Sequence, residues 1–220
     1  REVAGFGASG RNGGWASAIF PTAWKRLARD SSREAVIRMQ HALNDSVDRL
    51  GAMADDEGID CHFAKGGMVS AARNEAQLAR ARHDVEVARS WGFGEDFLEL
   101  LDAESAAARI HATKVKGGTF TPHCAAIHPA RLVRGLADAV ERRGAVVHES
   151  TSVTGIEPGL VRTNRGLVRA DVVVRATEGY TSDLPGCHRD VVPMYSLMVA
   201  TEPLPDALWE QIGLAHRETF

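Results

Sequence analysis

From Phe6 to Trp15 the chain reads Phe-Gly-Ala-Ser-Gly-Arg-Asn-Gly-Gly-Trp, with glycine at 7, 10, 13 and 14 and small or hydrogen-bonding residues between them. Glycine adopts backbone angles closed to other residues and has no side chain in the way. Such a run can therefore bring bare N–H groups against a bulky anion, and a cofactor pyrophosphate is the natural guest. A flexible surface loop is the competing reading. Glu34, Glu57 and the pair Asp55-Asp56 fall in a helical pattern and read as solvated helix charges, not as a general acid-base pair. Cys61, Cys124 and Cys187 are odd in number, far apart and outside C-x-x-C spacing, so they are expected to be reduced thiols, with neither a disulfide framework nor a zinc site.

The elements that must position the glycine run can be read from periodicity. Ser31 or Ser32 can cap a helix in which Val36, Met39, Leu43, Val47, Leu50 and Met53 recur at helical steps until Gly58. The pair Gly66-Gly67 lies between short apolar segments and suggests a hairpin over Ile59 to Ala72. Helical spacing returns from Glu75 to Trp91, and Asp102 opens another short helix. Gly117 to Pro122 reads as strand and turn. His128-Pro129 then starts a helix with Leu132, Val133, Leu136, Ala137 and Val140 on one face and Gly144 as its stop. Ala145 to His148 follows as an expected strand, then Ser152 to Ile156 and a hairpin turning near Asn164-Arg165-Gly166. Asp171 to Val174 has the uninterrupted valine pattern of a strand buried on both faces of a parallel sheet. It ends in Arg175-Ala-Thr-Glu-Gly-Tyr180, small residues at the edge where open α/β sheets bind ligands.

Composition sets the outer limits. With 44% hydrophobic and 25% charged residues, the chain has the material for a globular core. A net charge of −3 with arginines scattered among acids argues against nucleic acid as the main partner. No apolar run approaches the roughly 20 residues needed to span a bilayer and no leader precedes the first motif, so a cytosolic protein is expected. The chain begins without Met and ends without a closing signal, and reads as a piece of something longer.

Three blocks together resemble the FAD-dependent oxidoreductases of the D-amino-acid oxidase and glycine oxidase superfamily, nearest to the branch containing gamma-glutamylputrescine oxidoreductase. They are Gly7-Ala-Ser-Gly-Arg-Asn-Gly-Gly14, Ile127-His-Pro-Ala-Arg-Leu-Val-Arg-Gly-Leu136, and Ala170-Asp171 through Ala176-Thr-Glu-Gly-Tyr-Thr181, which continues through Leu184-Pro-Gly186 to Val192-Pro-Met-Tyr-Ser196. The resemblance implies an α/β fold: an incomplete Rossmann-like FAD-binding domain over 1–57 and 124–189, with an inserted α+β substrate domain over 58–123 and 190–220. In such a protein the G-x-G-x-x-G turn and the acid that holds the adenosine ribose are expected before residue 1, with Glu2 a possible substitute for that acid.

On the same basis Ala8, Ser9 and Gly10 are expected beside the pyrophosphate, and Arg11, Asn12, Gly13 and Gly14 beneath the ribityl chain and flavin ring. Val153 is expected to offer its backbone to the adenine, while Ala176 and Thr177 let backbone approach the cofactor. At 178 relatives often carry Gly or Asn where this chain has Glu. His123 and His128 could face substrate, against a structural role for each. Trp15, Trp24, Tyr180 and Tyr195 could wall an amine pocket, against ordinary packing. The implied chemistry is oxidation of an amine or amino acid C–N bond by hydride transfer to flavin N5, after which the imine hydrolyses. Oxygen or another acceptor would reoxidise the flavin, and the protein would mainly bind, orient and desolvate. Other readings are a non-catalytic remnant or interaction module that keeps only the fold, and a flavoenzyme of another reaction class. The 220 residues alone are expected to be inactive.

Overall fold

The computed structural model describes residues 2–220. Its longest element is helix α2, Arg33–Asp56, preceded by the short helix α1, Trp24–Asp30. Ser32 Oγ accepts from the Ala35 amide at 3.1 Å and so caps α2, and Gly58 follows its end at φ 66°. The buried face is not quite the expected apolar stripe: it runs Val36, Gln40, Asn44, Val47, Gly51, Ala54. Two amides sit at its centre because they are bonded there. Gln40 Nε2 donates to the Ala18 carbonyl and to Asn44 Oδ1, each at 3.0 Å, and Gln40 Oε1 accepts from Trp24 Nε1 at 3.2 Å. Glu57 differs from its reading as a solvated charge, since it is mostly covered and pairs with Arg142 and Arg143, tying the end of α2 to a later helix.

A two-stranded antiparallel ribbon joins β1, Trp15–Ser17, to β5, Cys124–Ala126, with Trp15 opposite Ala126 and Ser17 opposite Cys124. A second sheet has the antiparallel order β2-β4-β3, from Met68–Ala72, Gly117–Thr121 and Glu99–Leu101. The expected hairpin over 59–72 does not form, because β2 pairs with β4. Gly66-Gly67 serves as a crossing point: the Gly67 amide donates to Cys124 O at 3.0 Å and its carbonyl accepts from Thr219 N at 2.9 Å. A Cβ at Gly67, where φ is 81°, would press on the Phe120 ring.

Helix α3, Glu75–Ser90, is capped by Asn74, and α4, Ala103–Arg109, by Asp102, whose Oδ1 accepts from Ser105 N at 2.7 Å. They cover opposite faces of the second sheet. Val69 and Leu101 pack on Ala106, Ile110 and Leu214, while Leu78 of α3 lies over Gly117 on the other face. The more polar face, with Met68, Ser70, Thr119 and Thr121, borders a cleft.

Helix α5, Pro129–Arg142, starts at the expected His128-Pro129 and stops before Gly144 at φ 90°. Its Leu132 and Leu136 pack on Ala54, Ile59 and Cys61. Strands β6, Val153–Glu157, β7, Leu160–Thr163, and β8, Gly166–Arg169, form an antiparallel meander with the expected turn after Thr163.

Two expected strands are absent among the described residues. Ala145–His148 is irregular. Asp171–Val174 joins no ladder, and Val172 and Val174 are 77% and 81% exposed. A strand buried on both faces needs paired strands at its edges and packed layers over its faces, and no described strand pairs with this one. Residues 191–200 likewise lack regular structure. The chain forms helix α6, Asp206–Ile212, and then returns to the second sheet through bridges Ile110–Gly213 and Met68–Thr219. The whole is a mixed helix-and-sheet structure, an incomplete α/β domain whose named ladders are antiparallel. No described helix is long and apolar enough to cross a membrane.

Candidate functional site

The glycine run folds as a 3-10 turn at Ala8–Gly10 followed by an open loop into β1. Its side chains hold its own shape. Asn12 Nδ2 donates to the carbonyls of Ala8 and Ser9 at 3.2 and 3.0 Å, and Asn12 Oδ1 accepts from Gly14 N at 2.9 Å. A Cβ at Gly10 would collide with the Gly5 carbonyl, and one at Gly14, where φ is 71°, with the Ile127 carbonyl. These two glycines are required by close packing. Gly13 is different, because a Cβ there would meet nothing within 4 Å and would project into the open face of the loop. On that face Ala8, Ser9, Arg11, Asn12 and Gly13 are exposed. Among the described residues, the amides of Asn12 and Gly13 and the Ser9 hydroxyl have no partner. The Arg11 guanidinium lies 4.4 Å above the Phe6 ring. Free N–H groups, a hydroxyl and a cation around side-chain-free space fit a pyrophosphate and the linked ribityl chain.

The three sequence blocks meet at this loop. Ile127 N donates to Gly14 O at 2.8 Å, and Gly5 lies on Val133 of α5. Tyr180 Oη stands 3.1 Å from where a Gly7 Cβ would be. The Ala4 amide donates to Glu149 Oε1 at 2.8 Å, and Ser150 N to Glu2 O at 2.8 Å, so Glu2 engages the segment entering β6 through its carbonyl. Val153 is 37% exposed at the first position of β6, beside a register shift. Ala176 is exposed, and Thr177 shares a 2.7 Å hydroxyl contact with Thr181. Glu178 takes φ 44°, the left-handed region that suits Gly or Asn.

The β1-β5 ribbon leads from the loop to the cleft. Gly14 and Ile127 meet at one end, and Ala18 N donates to His123 O at 3.0 Å at the other, so loop and cleft are separated by about 10 Å of strand. The cleft, of about 1020 Å³, is lined by residues including Trp24, Gln40, Trp91, Phe97, Thr119 and His123. Trp24 packs in tilted geometry against Trp91, Phe93 and Phe97, with ring centroids 5.7, 5.0 and 5.8 Å away, and Phe97 is 5.7 Å from the His123 ring. Burial pushes the His123 pKa below the ordinary histidine value, and the Lys65 charge adds to this. His123 Nδ1 is sealed from solvent with no hydrogen-bond partner among the described residues.

Of the candidate substrate-facing groups, His123 and Trp24 line the cleft. His128 instead caps α5, its Nδ1 accepting from Arg131 N at 3.4 Å, with its ring edge-on to His62. Trp15 is half exposed on β1, Tyr180 lies against the glycine loop, and Tyr195 is 93% exposed. Sequence reading missed Gln40 and Asn44, which hold the cleft-lining Ala18 and Trp24 in place. Their signal was present as two amides four residues apart on an otherwise apolar helical face.

The sequence matches the family described as DAO, FAD dependent oxidoreductase, over residues 1–219. It is 32% identical over 222 residues to gamma-glutamylputrescine oxidoreductase of Escherichia coli (strain K12), covering 93% of this chain and 48% of that protein. The fold is similar to glycine oxidase from Bacillus cereus ATCC 14579, with a TM-score of 0.59 at 20% identity over 80% of this chain and 47% of that one. It is also similar to L-amino acid deaminase from Proteus myxofaciens, solved in complex with anthranilate: TM-score 0.61, 18% identity, 79% of this chain and 38% of that one. The chain spans about half the length of the curated relatives it matches.

Proposed function

The chain belongs to the DAO family of FAD-dependent oxidoreductases, and from that premise we propose that the whole protein oxidises the C–N bond of an amine or amino acid while the glycine loop holds FAD. The supporting observation is the convergence of Gly14 on Ile127 and of Gly7 on Tyr180 around an exposed loop with free amide donors. Ala8, Ser9 and Gly10 would lie on the pyrophosphate side, with Ser9 Oγ as a donor, and the Asn12 and Gly13 amides would face the ribityl chain, for which Gly13 leaves room. Val153 would offer its backbone to the adenine, and Ala176 and Thr177 would pass close to the same cofactor. The chemistry supplied by bound FAD is two-electron acceptance at flavin N5 from the carbon bearing the substrate nitrogen.

The amine would enter the cleft at the far end of the β1-β5 ribbon, where the Trp24, Trp91 and Phe97 rings exclude water from its apolar part. The imine leaving the site then hydrolyses, and oxygen or another acceptor takes the electrons. In this reading residues 1–57 and 124–189 serve the cofactor, and 58–123 and 190–220 the substrate. The substrate class suggested by the similar proteins is an amine or amino acid such as gamma-glutamylputrescine or glycine. The 220 residues alone are proposed to be inactive, since Val172, Val174 and most of the apolar side chains from Val192 to Val199 stand exposed, leaving strand-forming stretches unpaired.

The test is to purify the full-length protein, measure its flavin, and assay ammonia release from a panel of amines and amino acids beside matched alcohols. Bound FAD with amine-dependent ammonia release is expected. A flavin-free folded protein, or turnover confined to non-amines, contradicts the proposal.

A further inference from the structure

His123 stands at the point where the ribbon meets the cleft, and one of its ring nitrogens is out of balance. Nδ1 is sealed from water and unpaired among the described residues, a state that costs a buried polar atom its hydration without return. A charged imidazole would carry N–H at both nitrogens and leave a bare N–H at Nδ1, so the neutral ring with a free Nδ1 lone pair is the form this site accepts. No hydrogen bond holds Nδ1 in its present direction. The torsion that turns an imidazole about its Cβ–Cγ bond is broad and roughly two-fold, so a ring that lines the cleft has a way to turn Nδ1 out of its sealed position.

Beside His123 the cleft is lined by the polar side chains of Gln40, Ser70, Thr119 and Thr121. Gln40 Oε1 already accepts from Trp24, and the Gln40 amide is spent on Ala18 and Asn44. The tilted Trp24 and Phe97 rings contribute apolar surface. We propose that His123 is a substrate-contacting residue: a neutral imidazole that turns its Nδ1 lone pair into the cleft and accepts a hydrogen bond from the N–H of the substrate amine. This rests on the amine-oxidation reading above and adds a selectivity to it. A primary or secondary amine satisfies the orphaned nitrogen, whereas a tertiary amine, with no N–H when neutral, leaves it unpaired.

The experiment uses the full-length flavin-loaded protein with two probes, gamma-glutamylputrescine and its counterpart dimethylated at the terminal amine. Rapid mixing without oxygen records the flavin absorbance change that precedes reduction, which reports binding separately from turnover. Wild type should bind the primary amine about tenfold more tightly than the dimethyl compound, the worth of one good hydrogen bond. His123→Phe should abolish that preference by weakening the primary amine alone, and His123→Asn, which keeps an acceptor near Nδ1, should restore part of it. Equal binding of the two amines by wild type, or an undiminished preference in His123→Phe, overturns the assignment of His123. If His123→Phe does not fold, His123→Leu, which also lacks the acceptor, takes its place: loss of the preference supports the assignment and an undiminished preference overturns it. A wild-type protein that holds flavin but answers to no amine or amino acid of the panel above contradicts the underlying amine reading, a result distinct from loss of the His123 effect.

Discussion

The first two-thirds of the chain and the stretch from Ala145 to Ala200 have similar apolar material and use it in opposite ways. In the first region Val69, Cys61, Cys124 and Ala125 are almost wholly covered, because α2, α5, the ribbon and the second sheet pack on one another. In the second, Thr181 and Leu184 are the buried residues among those described, and Val172, Val174, Met194 and Leu197 face solvent. Sequence hydrophobicity states what a segment would bury. Only neighbouring elements decide whether it does. The cleft side of the site is therefore built from contacts within the described chain, while the segment after β8 presents strand-like residues without pairing.

Substitutions can break this contrast at the seam between the regions. Gly10→Ala forces a Cβ onto the Gly5 carbonyl and should cost about 3 kcal/mol of stability, with loss of flavin from the full-length protein. Gly13→Ala, facing open space, should stay within about 0.5 kcal/mol of wild type yet weaken flavin binding. Denaturant titration and flavin content measured together separate the two effects. Away from the seam, Val69→Ala should cost about 2 kcal/mol in the 220-residue protein, because Val69 is fully buried. Val174→Ala should change stability by less than about 0.5 kcal/mol. Equal losses at 69 and 174 would remove the basis of the comparison.

Much of the first region was legible because its signals are local. Ser32 caps α2, Asn74 caps α3, Asp102 caps α4 and His128 caps α5, each within three residues of the amide it serves. The Asn164-Arg165-Gly166 turn is local as well. What periodicity could not deliver was pairing at long range: β2 seeking β4 across α3, or Gly66-Gly67 acting as a crossing beneath Phe120. Asp171–Val174 carries a correct local pattern for a buried strand, but burial belongs to its partners. At the site, the glycine loop was readable from composition, whereas its docking on Tyr180 and the isolation of His123 Nδ1 depend on three-dimensional packing.

Two smaller effects sharpen the contrast. Glu178→Gly removes a side chain from a left-handed residue and should stabilise the protein by about 1 kcal/mol, read as a rise in melting temperature. The depressed pKa of His123 means that the unfolded chain takes up a proton before the folded one does. Its contribution to stability is present above the unfolded value near 6.5 and is lost as pH falls through that value towards the folded one. Lys65, Asp48, Asp96 and Asp45 are the charges that bear on the ring, and His123→Phe should flatten this part of the acid limb of the stability profile.

The most direct measurement is the flavin content of the purified full-length protein beside its Gly13→Ala variant, read by absorbance before and after denaturation. Stoichiometric FAD is expected in wild type, with a reduced content or affinity in a variant that melts at the same temperature. A well-folded wild type without FAD, or a variant that binds it equally well, would contradict the placement of the cofactor on the glycine loop.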